Sequence, residues 1–314
     1  MIMALKRKVK FNIDKLRLCY KQPVGLFEAM VKYDKDEYID YGDFKLKIID
    51  NGKGLKYNEK PSIKVIIQVI VPDGNKYVSL GQLTLHNSAK YEGYCFFSYE
   101  NKELYNCLNI GYHGDKHNSI CYMSYIANVL HLSLNNVTEI EIAADCNVCP
   151  ISQIRKKIRN YEKYDMIMNG KRITDERRKI YGYAEMYGRS RYQIDRIPTL
   201  YFSQQDLQMR VYDKSKEIAE VSDKKYISQW NDYGKHGIYR VEIALRNEDY
   251  RQWLAHIGKR MPEWGNMEAS VELLDLEAYR SNLWHYCAHR MLYFKPKGQR
   301  NLTIDLIDII SGAA

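Results

Sequence analysis

Three segments of this 314-residue chain alternate apolar and polar side chains with a period of two. Successive side chains of a strand point to opposite faces, so each segment is expected to form a strand with one core face and one polar face. In Gly237 to Arg246 the core side is Tyr239, Val241, Ile243 and Leu245, and the polar side is Arg240, Glu242, Ala244 and Arg246. In Leu207 to Asp213, Leu207, Met209 and Val211 oppose Gln208, Arg210 and Tyr212. In Glu139 to Cys146, Ile140, Ile142, Ala144 and Cys146 oppose Glu139, Glu141, Ala143 and Asp145.

For any single strand the plain reading of such a polar face is contact with water, as on one side of many antiparallel sheets. A solvated face typically carries Lys, Thr and Ser without pattern. These three together carry four carboxylates, three arginines, one tyrosine and two small alanines. If the strands are neighbours, that set suffices for phosphodiester chemistry. Carboxylates hold a hard divalent cation, the cation polarises the phosphate, arginines meet the charge of the pentavalent state, and the tyrosine oxygen attacks. A phenol ordinarily ionises near pH ~10, so it needs a cation beside it, a part a metal and Arg210 can play.

Charge points the same way. The net charge is +9, and residues 151–200 hold thirteen Lys/Arg against six acids, which accounts for most of the excess. Arg155, Lys156, Arg159, Arg172, Arg177, Arg178, Arg189 and Arg191 are the arginines and lysine singled out here as candidate DNA contacts. Six tyrosines are interleaved with the cations of this stretch. Cations meet phosphates while ring faces stack on unpaired bases, which suits a single-stranded nucleic acid. The plain alternative is a solvated basic helix with tyrosines packed beneath it.

The first 150 residues read mainly as strands. Ser62 to Val71 and Lys76 to His86 flank a Pro72-Asp73-Gly74-Asn75 turn, and Tyr91 to Tyr99 adds another run. A helix is expected from Ser119 to about Leu132, then a basic helix from Ile151 to about Ile167 opened by Pro150. Further strands are expected at 180–187 and 199–203, with a short helix over 214–221. Helices are expected at 248–257 and 267–294. The fold class is α+β, with a central, largely antiparallel sheet and helices packed on one face. The expected divisions are a strand-rich region 1–134, a core 135–260 that carries the chemistry, and a helical region 261–314.

Three of these segments resemble the replication initiation factors of rolling-circle plasmids and phages, a family that includes relaxases of integrative elements. Arg210-Val211-Tyr212-Asp213-Lys214, trailed by Glu217, is similar to the family's R-x-Y-(D/N)-K segment. Arg240-Val241-Glu242-Ile243-Ala244-Leu245-Arg246 is similar to its R-x-E-(I/L)-x-L-R strand, with 27 residues between Tyr212 and Arg240. Ile140-Glu141-Ile142-Ala143-Ala144-Asp145 resembles its acidic strand, although Glu139 stands where the family often has arginine and Glu141 where it has aspartate. The resemblance covers roughly 135–255. It implies a DNA nickase that forms a phosphotyrosine adduct, with Tyr212 as nucleophile and Arg210, Lys214, Arg240 and Arg246 around the phosphate. It implies Glu141, Asp145 and Glu242 as metal ligands. Tyr201, Tyr192 and Tyr183 remain rival nucleophiles. The implied partners are single-stranded and origin DNA; a conjugative relaxase and a non-catalytic nucleic-acid-binding protein are the other readings.

Other motifs carry less. No histidine-apolar-histidine triplet occurs among the eight histidines, so the metal is expected to be Mg or Mn on carboxylates. His285 and His289 lie four apart and read as ordinary helix residues. Cys146-Asn147-Val148-Cys149 has no second pair at zinc spacing and reads as structural. No Gly-Lys pair is followed by Ser or Thr, so there is no phosphate loop and unwinding is left to a host or element helicase. Trp284, Tyr286 and Arg290 are candidates for duplex origin DNA, with helix packing as the default. Seven cysteines without a framework, no signal-like segment and no 18-residue apolar run point to a reducing cytoplasm and no membrane.

Overall fold

The computed structural model describes residues 8–52, 64–73, 75–88, 90–100, 111–112, 115–116, 119–178, 189–190, 193–194, 199–204, 207–222, 224–225, 227, 237–299 and 301–313. Its strands in chain order are β1 (Val9–Lys21), β2 (Tyr38–Asp40), β3 (Lys45–Asp50), β4 (Lys64–Asp73), β5 (Lys76–His86), β6 (Tyr94–Glu100), β7 (Gly111–Tyr112) and β8 (Asp115–Lys116). They continue with β9 (Ser133–Cys146), β10 (Tyr164–Met168), β11 (Lys171–Arg172), β12 (Arg189–Ser190), β13 (Gln193–Ile194), β14 (Leu200–Gln204), β15 (Leu207–Asp213), β16 (Tyr239–Arg246), β17 (Tyr293–Pro296) and β18 (Ile304–Asp305). The helices are α1 (Leu26–Met30), α2 (Ser119–Val129), α3 (Pro150–Arg159), α4 (Lys214–Glu217), α5 (Asn247–Ile257), α6 (Met267–Leu273), α7 (Glu277–Met291) and α8 (Leu306–Ile310). The class is α+β with a large antiparallel sheet. No helix among the described residues is long and apolar enough to cross a membrane.

Two expected helices are shorter than their sequence suggests. The basic helix stops at Arg159, and Tyr164 to Met168 is instead strand β10, paired with β17. The helix expected over 267–294 is two helices, α6 and α7, followed by strand β17. The strand expected at 180–187 lies outside the described residues.

Contacts divide the chain into two interleaved units. One holds 1–12, 141–245 and 277–314, and the other 13–140 and 246–276. The boundaries expected at 134 and 260 both fall inside segments of the second unit. Strands β1 and β9 each contribute residues to both.

In the first unit the strand order is β14-β15-β16-β9-β1. Met209, Val211, Val241 and Ile243 are fully buried on the core side. Helix α7 lies against β14 and β15, with Leu283, Trp284 and Cys287 buried. The Trp284 indole donates to the Val241 carbonyl at 3.1 Å, so the packing residue is also hydrogen-bonded, as a buried indole requires. A smaller sheet runs β11-β10-β17-β18.

In the second unit the order is β1-β6-β5-β4-β3-β2, with Leu16, Leu18, Leu46, Val65, Ile67, Leu85 and Phe97 fully buried on one side. Asp73 pairs with Lys76, so two residues join β4 to β5. Val69 pairs with Gly81 but Ile70 with Ser79, which leaves Leu80 as the extra residue of a bulge. Gly81 has φ +150, and a Cβ there would lie 2.6 Å from the Ser98 carbonyl oxygen. Gly81→Ala is therefore expected to destabilise the protein by about 2 kcal/mol, read as a lower urea midpoint at unchanged slope.

Candidate active site

The register of the first unit brings the predicted residues together. Arg210 of β15 lies opposite Glu242 of β16, and Tyr212 opposite Arg240. On the other side of β15, Tyr201 of β14 lies opposite Arg210. Directly opposed residues share a sheet face, so Tyr201, Arg210 and Glu242 form one cross-strand row and Tyr212 and Arg240 the next. Strand β9, with Glu141 and Asp145, borders β16.

This polar face is not a solvated one. Asp145 and Arg240 are fully buried, and Glu242 is 3% exposed. Buried charges persist only when paired and hydrogen-bonded. Arg240 Nε donates to Asp145 Oδ1 at 2.6 Å and Nη2 to Oδ2 at 2.8 Å, a bidentate fork. Asn12 of β1 adds a donor to Oδ2 at 3.2 Å. Glu242 meets two different partners. The Arg210 guanidinium engages Oε1, and the Tyr212 phenol donates to Oε2 at 2.9 Å. Arg210 Nη2 also lies 3.4 Å from Glu141 Oε2. Burial works against the Arg210 charge, but Glu242 and then Glu141 overcome it and hold the guanidinium more firmly protonated than usual.

Carboxylate oxygens of Glu141 and Glu242 lie within 4.8 Å of one another. Two hard oxygen donors on neighbouring strands could serve one divalent ion. Asp145, expected beside them as a ligand, instead has both oxygens taken by Arg240 and Asn12. Lys214 is almost fully buried, pairs with Glu217 at 2.7 Å, and holds its ammonium 5.6 Å from the Tyr212 ring centroid. Arg246 is exposed at the N-cap of α5. Of the rival nucleophiles, Tyr201 is half-buried, and Tyr192 and Tyr183 lie outside the described residues.

The candidate DNA contacts divide. Arg155, Lys156 and Arg159 line a groove of about 670 Å³ with Tyr161 and Glu162 at the end of α3. Arg172 is exposed and paired with Asp165 at 2.8 Å, and Arg177 is exposed. Arg178 departs from expectation: it is 2% exposed and donates to the carbonyls of Tyr164, Lys157 and Ile158. It therefore ties α3 to β10 rather than facing a ligand. Arg178→Ala should cost about 2 kcal/mol of stability in a urea melt by orphaning carbonyl acceptors. Arg189 lies in β12, and Arg191 lies outside the described residues.

The residues that sequence reasoning passed over are mostly on β1. Asn12 is one. Asp14, two positions further on, shares its side of the strand. Glu217 was visible only as a trailing acid, and its pairing with Lys214 gives it a role. His285 Nδ1 lies 2.6 Å from the Ser281 carbonyl, and His289 Nδ1 lies 2.8 Å from Asp305. Burial pushes the Cys146 thiol up to about 12, so it stays protonated at neutral pH.

No family model matches the chain, and no curated protein matches it. Among solved structures, a rolling circle replication initiator protein from Geobacillus stearothermophilus is similar with a TM-score of 0.42 and 15% identity, covering 96% of this chain and 97% of that one.

Proposed function

We propose that this chain nicks one DNA strand through Tyr212, forming a covalent phosphotyrosine adduct, and so initiates rolling-circle replication of a mobile element. The observation that carries the reading is the Tyr212 phenol donating to the buried carboxylate of Glu242, whose other oxygen is engaged by Arg210. A phenol is a poor nucleophile until its proton has somewhere to go. Glu242 is within reach to accept that proton as the tyrosine oxygen bonds to phosphorus and the phosphorus-to-sugar-oxygen bond breaks. The same carboxyl then returns the proton to the leaving sugar oxygen. Arg210, with 41% of its side chain exposed, supplies donors for the phosphate.

Arg240 acts differently. Locked onto Asp145, it fixes β16 against β9 and so positions Glu242. Lys214 stabilises a developing phenolate from across the ring. Glu141 and Glu242 would hold Mg or Mn, which draws charge from the phosphate oxygens when bound. The groove at Arg155, Lys156 and Arg159 is assigned to the single strand, and duplex separation to a partner helicase.

The test is incubation with single-stranded oligonucleotides and Mg or Mn, followed by denaturing electrophoresis. A protein-DNA band that survives denaturation and disappears with EDTA is expected. If no sequence in a broad panel yields such a band while binding persists, the chain is a non-catalytic binder.

A further inference from the structure

The second unit has a sheet face that the nicking reading does not use. Its core side is apolar, but by alternation its other side presents Arg17 on β1, Phe96 on β6, His86 on β5 and Lys64 on β4. His86 and Lys64 are directly opposed. Phe96, His86 and Tyr91 form a closed aromatic triad with centroids 5.0, 5.4 and 5.6 Å apart. The Arg17 guanidinium lies over Phe96 at 4.7 Å, and the Lys90 ammonium lies 5.1 Å from the Tyr91 ring.

Three cations gather at this aromatic cluster without counter-charge. Elsewhere in the same unit, Lys15, Lys45 and Lys47 pair with Glu139, Asp40 and Asp36 at 2.8 to 3.2 Å. Among the described residues Arg17, Lys64 and Lys90 have no acidic partner, and Arg17 Nε is shut from water without an acceptor. A buried donor left open in this way is costly unless something supplies an oxygen. The His86 imidazole reports the surroundings: desolvation first, then the charges of Arg17 and Lys64, hold it below its ordinary pKa.

We propose that this face binds single-stranded DNA, with Arg17, Lys64 and Lys90 on phosphates and the His86–Tyr91–Phe96 cluster as a platform for unpaired bases. Unopposed cations select a polyanion, and the half-buried His86 and Tyr91 rings, backed by the buried Phe96, favour one whose bases are unstacked. The proposal goes beyond the nicking reading and requires neither Tyr212 nor a metal.

The experiment is fluorescence anisotropy of the full chain with labelled oligothymidylate in EDTA, across a range of KCl. Arg17→Gln with Lys64→Gln is expected to weaken binding about tenfold and to reduce the salt slope by about 1.4, two contacts on a single strand. Tyr91→Ala should weaken binding about fivefold or more with the slope unchanged, because stacking releases no ions. Variants that melt like the parent and bind like the parent would overturn the proposal. So would a duplex that binds equally well and is equally weakened by Tyr91→Ala. Because the measurement is made in EDTA and reads binding alone, its failure and a failure to form the metal-dependent adduct are told apart.

Discussion

Tyr212→Phe is expected to abolish the covalent adduct and reduce cleavage at least about a thousandfold while leaving oligonucleotide affinity within about twofold, because only the attacking oxygen is removed. The ring keeps its place beside the Lys214 ammonium, and Glu242 keeps its contact with Arg210. The variant thus isolates chemistry from folding and binding. Tyr201→Phe is the matched comparison, because Tyr201 lies opposite Arg210 but one strand further from Glu242. If Tyr201→Phe loses the adduct and Tyr212→Phe retains it, the nucleophile moves to β14 while the reaction class stands.

Breaking the buried pair should have the largest effect on stability. Asp145 and Arg240 are both fully buried and joined by two hydrogen bonds. Removing one partner leaves the other charge unpaired in a dry interior, which costs about 3 to 5 kcal/mol. Asp145→Asn and Arg240→Met are each expected to lower the urea midpoint by that equivalent. The double replacement Asp145→Leu with Arg240→Met should recover most of the loss, because two apolar groups ask for no solvation. It should not recover nicking, since Glu242 would lose the neighbour that sets its strand. Equal destabilisation by the single and double variants would mean that packing, not pairing, dominates there.

Much of this site was legible in the sequence because a strand's period of two is local information. Arg210, Tyr212, Arg240 and Glu242 read as one face each, and the antiparallel register aligned those faces. Which acid meets which arginine was not legible. Asp145 read like a ligand, and only the neighbourhood of β9 and β16 reveals that Arg240 claims it. Strand β1 was invisible for a different reason. Its buried residues run Phe11 to Ile13, then Leu16, and Leu18 to Tyr20, so both faces are covered in places and no single alternation spans the strand. Strand β10 looked like a helical continuation because Met166, Ile167 and Met168 are buried in a row. Its pairing partner, β17, comes more than a hundred residues later, beyond any local pattern.

Glu242 divides its two oxygens between a guanidinium and a phenol, and an incoming divalent ion meets a seat already filled. If the proposed divalent ion binds there, loading is an exchange of one cation for another, and its affinity would depend as much on how readily Arg210 lets go as on the acids themselves. On the proposed reading, an arginine drawn aside by a phosphate would free that seat as DNA arrives, and ion uptake would be coupled to substrate without any moving lid.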